Sequence, residues 1–195
     1  DMDDVLCRYD LGRRLRALSR LSGRTPRDIR AAIWDSGFED DADSGGFPDS
    51  EHYLAEFNRR LGRDISLGEW IAARREAMTP NPEVLGIARL IAERAELTIY
   101  TNNGPIPRQY FAELFPEAAR MFAVCHCSYE FATKKPDPAS YVRLLARLGT
   151  AAGDTWFIDD KQSNVEGARL AGLAGHHFRS PALLAEAARE LDLIA

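Results

Sequence analysis

The chain has 195 residues, 45% of them hydrophobic and 28% charged, with a formal net charge of -5. That is enough apolar content to build a buried core, and the composition is unlike that of a disordered or fibrous chain. No apolar run approaches the roughly 20 residues needed to span a bilayer, the basic residues are dispersed among acids rather than clustered for a phosphate backbone, and three cysteines fit a reducing cytoplasm; no membrane and no nucleic acid is expected as a partner.

The chain opens on Asp1-Met2-Asp3-Asp4-Val5-Leu6. From about Leu11 to Met78 the pattern is helical and contains no convincing strand. Leu11, Leu15, Leu18 and Leu21 fall on one helical face. Thr25-Pro26-Arg27-Asp28 reads as a helix start, with Thr25 as N-cap, Pro26 at the first helical position and Asp28 near the positive end. Two further helices are expected to begin after Asp49 and Ser66. The stretch from Gly37 to Asp49 carries Gly37, Gly45 and Gly46 with Glu39, Asp40, Asp41 and Asp43, and reads as an exposed loop too polar to be buried. Residues 11–79 are thus predicted to form an all-helical cap inserted between residues 1–10 and 80–195.

From Ile87 onward short apolar runs alternate with helical patterns, the signature of an α/β fold with a doubly wound parallel sheet. Strands are expected at Leu97 to Tyr100, Met121 to Cys125, Trp156 to Ile158 and, more weakly, Gly175 to Phe178. Helices follow at about Pro107 to Phe115, Ala139 to Leu148, Ser163 to Ala171 and Pro181 to Leu191. Cys125-His126-Cys127 would place both thiols on one face of a strand and His126 on the other, which favours a buried strand over a zinc site. Thr101-Asn102-Asn103-Gly104 lacks the spacing of a dinucleotide or nucleotide-triphosphate loop.

In such a sheet, ligands bind beyond the carboxyl ends of the strands. Thr101-Asn102 follows the first predicted strand, Lys134-Lys135-Pro136-Asp137-Pro138 the second, and Asp159-Asp160 the third, with Asp1 and Asp3 at the start of the chain. Each group alone has an ordinary reading as a turn or a solvated loop. Together they supply what phosphoryl transfer needs: a carboxylate nucleophile, a lysine and amides to compensate the phosphate charge, and a proton donor for the leaving oxygen. Converging carboxylates would repel without a divalent cation, and oxygen-only ligands favour Mg2+.

The order of these motifs resembles that of the haloacid dehalogenase superfamily, in its phosphatase branch with an α-helical cap. Asp1-Met2-Asp3-Asp4-Val5-Leu6 looks like the first motif, Thr101-Asn102 the second, Lys135-Pro136-Asp137-Pro138 the third, and Asp159-Asp160 with Asn164 and Gly167-Ala168-Arg169 the fourth. The likeness is strongest to small sugar-phosphate phosphatases such as bacterial glucose-1-phosphate phosphatase. It implies a Rossmann-like core in which Asp1 forms an aspartyl-phosphate, Asp3 acts as general acid and then base, Thr101 and Asn102 bind phosphate, and Lys135 steadies phosphoryl group and nucleophile. Asp1, the backbone carbonyl of Asp3, and Asp160 would hold Mg2+, with Asp159 in the outer shell and Asn164 in support. Trp34, Phe38 and Phe47 are candidate walls of the substrate pocket, and Cys7 and Arg8 sit just past the nucleophile.

The resemblance implies a small phosphorylated metabolite as substrate and a monomer or weak homodimer. A phosphomutase, a 2-haloacid dehalogenase and an inactive phospho-ligand-binding scaffold are the alternatives; Asp3 and the Asp159-Asp160 pair favour a phosphatase over a dehalogenase. Asp4 stands where the family more often has Gly or Asn. The family's first motif follows an apolar strand, so natural residues ahead of Asp1 are expected.

Overall fold

The computed structural model describes residues 1–195. Two parallel strand pairs form the α/β core. β3 (Ile99–Thr101), buried along its whole length, pairs with β4 (Cys125–Cys127), and β5 (Trp156–Asp159) pairs with β6 (Ala174–His177). Parallel neighbours need a crossover. Short helices α7 (Pro105–Gln109), α8 (Phe111–Leu114) and α9 (Pro116–Ala119) cross between β3 and β4, α10 (Pro138–Leu148) leads from β4 to β5, and α11 (Gln162–Leu170) crosses from β5 to β6. α12 (Pro181–Glu190) packs against α6 (Pro82–Ile91). The backbone nitrogen of Asp1 donates to the carbonyl of Ile158 at 2.7 Å, which sets the first residue beside β5.

The cap grows from a short antiparallel pair, β1 (Cys7–Tyr9) with β2 (Met78–Pro80), which the sequence patterning did not reveal. Five helices lie between them: α1 (Leu11–Ser22), α2 (Pro26–Ile33), α3 (Phe38–Asp43), α4 (Ser50–Leu61) and α5 (Leu67–Ala77). Their starts are set locally. Asp10, Thr25, Asp49 and Ser66 each accept a backbone N–H of the first turn, and Ser66 and Glu69 form a reciprocal capping box. α1 and α4 end at Gly23 and Gly62, both left-handed with φ of 75° and 71°. One hydrophobic cluster joins cap and core, running from Leu18, Ile33 and Phe57 to Ile99, Ile106 and Phe115. No helix is long and apolar enough to cross a membrane.

Two expected elements are displaced. The strand expected at Met121 to Cys125 lies at Cys125–Cys127, because Met121 and Phe122 still donate to Ala118 O at 2.9 Å and belong to the helical turn that ends α9. The helix expected from Pro107 begins at Pro105 and breaks at Tyr110, whose φ and ψ of -115° and 32° leave the helical region. Cys125 and Cys127 do share a face, their free thiols 4.0 Å apart.

The acidic segment is a third correction: Gly37 to Asp49 is not simply an exposed loop, since residues 38–43 form α3. Glu39, Asp40 and Asp41 occupy its first turn, where the helix dipole favours carboxylates. Phe38 and Ala42, one turn apart, face inward. Phe38 stacks on Tyr53 at 5.2 Å and meets Phe47 edge-on at 5.3 Å.

At the end of α3 the Asp43 carboxyl is pushed up to about 8. Burial is the main cause and Glu39 the next, against the opposing pull of Lys134 and Arg74, while Asp40 adds to the rise. A carboxyl raised in the folded state stabilises fully below its ordinary value of 3.8, and that contribution drains away as pH rises through about 8. Asp43→Asn is therefore expected to gain on the wild type by ~2 kcal/mol between pH 5 and 8, a value discounted for the carboxyl's partial solvent access. Urea unfolding of both proteins across that range checks this. Curves that stay parallel in pH would contradict it.

Candidate functional site

The strand-end segments converge on one cavity of about 60 Å³ with no hydrophobic wall. The first turn contributes Asp1, Asp3 and Asp4, the end of β3 contributes Thr101 and Asn102, and the loop before α10 contributes Lys135. Asp160, Lys161 and Asn164 come from the end of β5 and the start of α11.

Lys135 is the electrostatic centre. It is 2% exposed, and a buried ammonium is costly unless paired. Its Nζ lies 2.6 Å from Asp159 Oδ2, 3.0 Å from Asp1 Oδ1 and 3.2 Å from the carbonyl of Tyr100. The loop is fixed from the next strand: Asn102 accepts from Lys135 N at 3.0 Å and donates to Lys135 O at 2.9 Å. The Asn102 side chain thus spends its bonds on the lysine's backbone. Thr101 is buried, and its Oγ1 accepts from Asn103 Nδ2 at 2.9 Å.

Asp159 is fully buried. Burial, the largest influence, would raise its carboxyl, but the charge and hydrogen bond of Lys135, with the Asp1 ammonium and the Lys161 amide, together hold it below the usual range. Both its oxygens are engaged, Oδ2 by Lys135 and Oδ1 by Asn164 Nδ2 and Lys161 N, each at 2.9 Å. The Asp160 carboxyl is raised, by desolvation first and by its neighbour Asp159 second. Oxygens of Asp1, Asp159 and Asp160 lie within 4.8 Å of one another. Such a donor set, all oxygen and rich in charge, fits a hard divalent cation such as Mg2+. Because Asp159 is bonded through both oxygens, Asp1 and Asp160 are the members of the trio with room to ligate.

Asp4 adopts a left-handed φ of 59°, and its Oδ1 accepts from Tyr9 N at 3.0 Å, closing the turn that follows Asp1. That backbone accounts for the Gly or Asn more usual at the position. Asp3 points toward the cap, where its Oδ2 meets Arg74 Nη2 at 2.5 Å.

The structure does not bring Trp34, Phe38 and Phe47 to this cavity. Phe38 is 2% exposed inside the cap's aromatic cluster, and Trp34 and Phe47 pack against the same core, with the Arg14 guanidinium 5.3 Å from the Trp34 ring. Their apolar area goes to holding the cap helices together. Cys7 is buried with Sγ 3.8 Å from Asp3 Oδ1, while Arg8 is exposed. Sequence reasoning missed Arg74, Lys161 and His177, whose Nε2 lies 2.9 Å from Asp160 O. For Arg74 a signal existed: it shares a helical face with Trp70, Ile71 and Ala77, and a cation on an apolar face needs a buried partner.

A parallel α/β core, a helical cap and a polar cavity of carboxylates around one buried lysine define a capped, Rossmann-like hydrolase. Residues 1–172 match the haloacid dehalogenase-like hydrolases, and the chain belongs to that family. Over 95 residues it is 38% identical to the plasmid-encoded protein CbbY of Cupriavidus necator; that match covers 45% of this chain and 37% of the relative, so it spans little more than a third of the relative's length. Among solved structures, a predicted HAD-like hydrolase from Porphyromonas gingivalis superposes with a TM-score of 0.75 at 19% identity, covering 98% of this chain and 94% of that one. A HAD family enzyme from Bacteroides thetaiotaomicron, crystallised with magnesium, gives 0.72 at 19% identity over 92% and 90%. A 2-haloacid dehalogenase from Pseudomonas syringae gives 0.59, also at 19% identity, over 90% and 82%. At these identities the likeness is one of fold.

Proposed function

We propose that the protein is a Mg2+-dependent phosphatase acting on a small phosphorylated metabolite, with Asp1 as nucleophile. The observation that supports this most is the Asp1 carboxylate held 3.0 Å from the buried Lys135 ammonium, at a cavity lined by no hydrophobic residue. A halide-displacing site has to receive a carbon chain, and no hydrophobic residue lines this one.

In this reading Asp1 attacks phosphorus, the bond to the leaving oxygen breaks, and that oxygen takes its proton from Asp3. The aspartyl-phosphate is then opened by water, whose proton passes to the Asp3 carboxylate; the phosphorus–Asp1 bond breaks and inorganic phosphate leaves. Lys135 and Thr101, with backbone N–H groups around Asn102, face the phosphoryl oxygens and compensate their charge where water is excluded. Asp159, 2.6 Å from the Lys135 ammonium, keeps that lysine aimed. Asp1, the Asp3 carbonyl and Asp160 would hold Mg2+, which supplies charge compensation between the attacking carboxylate and a phosphoryl oxygen.

Phosphate release from a panel of phosphorylated metabolites, assayed with Mg2+ and again with a chelator, tests this. Turnover with Mg2+ is expected to fall by at least about 10²-fold in chelator. Release that persists unchanged in chelator would remove the metal from the reading, and release from no member of the panel would sink the phosphatase assignment.

A further inference from the structure

Arg74 lies near the end of α5 and is 2% exposed, at a depth where a guanidinium is costly unless partnered. Its Nη2 sits 2.5 Å from Asp3 Oδ2 and 3.4 Å from Asn103 Oδ1, its plane lies 4.1 Å from the centre of the Tyr9 ring, and its Nε has no partner. Tyr9 is itself held by Arg14, whose Nη1 is 3.3 Å from the phenol oxygen. Arg14 is also buried, 3.9 Å from Glu39, and Glu39 accepts from Tyr53 OH at 3.1 Å. A continuous chain of contacts therefore runs from α3 through Glu39, Arg14, Tyr9 and Arg74 to Asp3, its two arginines buried and the other three half-buried.

Asp3 sits on a short turn with little else to orient it. Arg74 is the one cation that pairs with it, and its other oxygen, Oδ1, meets only the Cys7 thiol at 3.8 Å. One carboxyl oxygen is thus anchored and the other is left free to carry a proton to a leaving group. The anchor belongs to the cap, whereas Asp3 and Asn103 belong to the core.

We propose that Arg74 is the positioning residue for Asp3: by gripping Oδ2 it aims Oδ1 at the leaving oxygen, and it makes proton delivery depend on the cap being docked on the core. This rests on the reading of Asp3 as general acid in a phosphatase. The dependence has a chemical signature. Alkyl and sugar alkoxides must be protonated as they leave, so their release needs an aimed acid. A nitrophenolate leaves well without a proton, so its release does not.

The test compares kcat and KM for p-nitrophenyl phosphate with those for the best alkyl or sugar phosphate of the panel, using the full chain with Mg2+. Arg74→Met is expected to lower kcat on the alkyl substrate by about 10²-fold and on p-nitrophenyl phosphate by less than about three-fold. Arg74→Lys, which keeps the charge, should recover part of the alkyl activity. In an Asp3→Asn background, Arg74→Met should have no further effect on the alkyl substrate, because the group it aims is gone. Equal loss on both substrates with an active wild type would overturn the assignment while leaving the phosphatase reading intact, as would full additivity with Asp3→Asn. Should Arg74→Met fail to fold, the same two-substrate ratio measured on Arg74→Lys decides, since the shorter reach of the ammonium still misaims Asp3. A wild type inactive on both substrates would take the phosphatase reading and this assignment down together.

Discussion

Asp1→Asn is expected to lower kcat by about 10⁴-fold or more while leaving the fold in place. An amide cannot attack phosphorus, and the neighbouring carboxylates have other commitments: Asp4 Oδ1 accepts from Tyr9 N, and Asp160 is the proposed metal ligand. Asp3 is turned toward Arg74, and both oxygens of Asp159 are occupied by Lys135, Asn164 and the Lys161 amide. The structural cost should be small, because the asparagine oxygen can still accept from Met2 N, as Asp1 Oδ1 does at 2.7 Å, and can still face Lys135. Circular dichroism and thermal unfolding should resemble the wild type while phosphate release disappears. Turnover within ten-fold of the wild type would strip Asp1 of its role.

Lys135→Met is expected to lose turnover as well, and to lower stability by about 3–5 kcal/mol when measured by denaturant unfolding in chelator. The side chain is of similar length and apolar, so little packing is lost. The cost comes from Asp159, which would remain at 0% exposure with its neutralising cation gone and with Asp1 close by. Such a loss is a large part of the ~5–15 kcal/mol that usually separates folded from unfolded domains. Adding Asp159→Asn to Lys135→Met should return much of the stability and none of the turnover, because the buried charge is then removed with its partner. If the single substitution costs less than about 1 kcal/mol, Asp159 is protonated or hydrated in the folded protein and the buried pair is not what holds the loop.

The site was more legible in the sequence than the cap above it, and the reason is where each is encoded. Thr101 and Asp160 sit at or just past the ends of short apolar runs, and Lys135 follows another after a loop, so local pattern places them at one edge of the sheet, and Asp1 is read from the company they give it. The cap's N-caps were equally local: Thr25, Asp49 and Ser66 announce their helices through side-chain chemistry three residues deep. Position 38 onward was not legible in the same way. A run of acids between glycines reads as a solvated loop until the tertiary fold puts Phe38 and Ala42 against Tyr53 and Phe57 and leaves the acids at a helix start. Arg74 was hidden because its partner lies 71 residues away in sequence. β1 and β2 escaped notice because Cys7-Arg8-Tyr9 and Met78-Thr79-Pro80 interrupt their apolar residues with polar ones and a proline, leaving no apolar run to detect. The aromatics Trp34, Phe38 and Phe47 were misplaced for a related reason: composition says that a large ring is buried somewhere but not which surface covers it.

A cavity without hydrophobic residues has a consequence for control of the proposed reaction. A chamber of about 60 Å³ lined only by charged and polar residues can grip a tetrahedral oxyanion and has little with which to measure what was attached to it. On the phosphatase reading it should therefore hold inorganic phosphate, the product of that reaction, by the same contacts that hold the substrate's phosphoryl group. In such a protein, product inhibition is built into the core and is the same for every substrate. Selectivity among leaving groups then has to reside in the cap, so changes to the cap could alter the diet of the enzyme without relieving its sensitivity to accumulated phosphate.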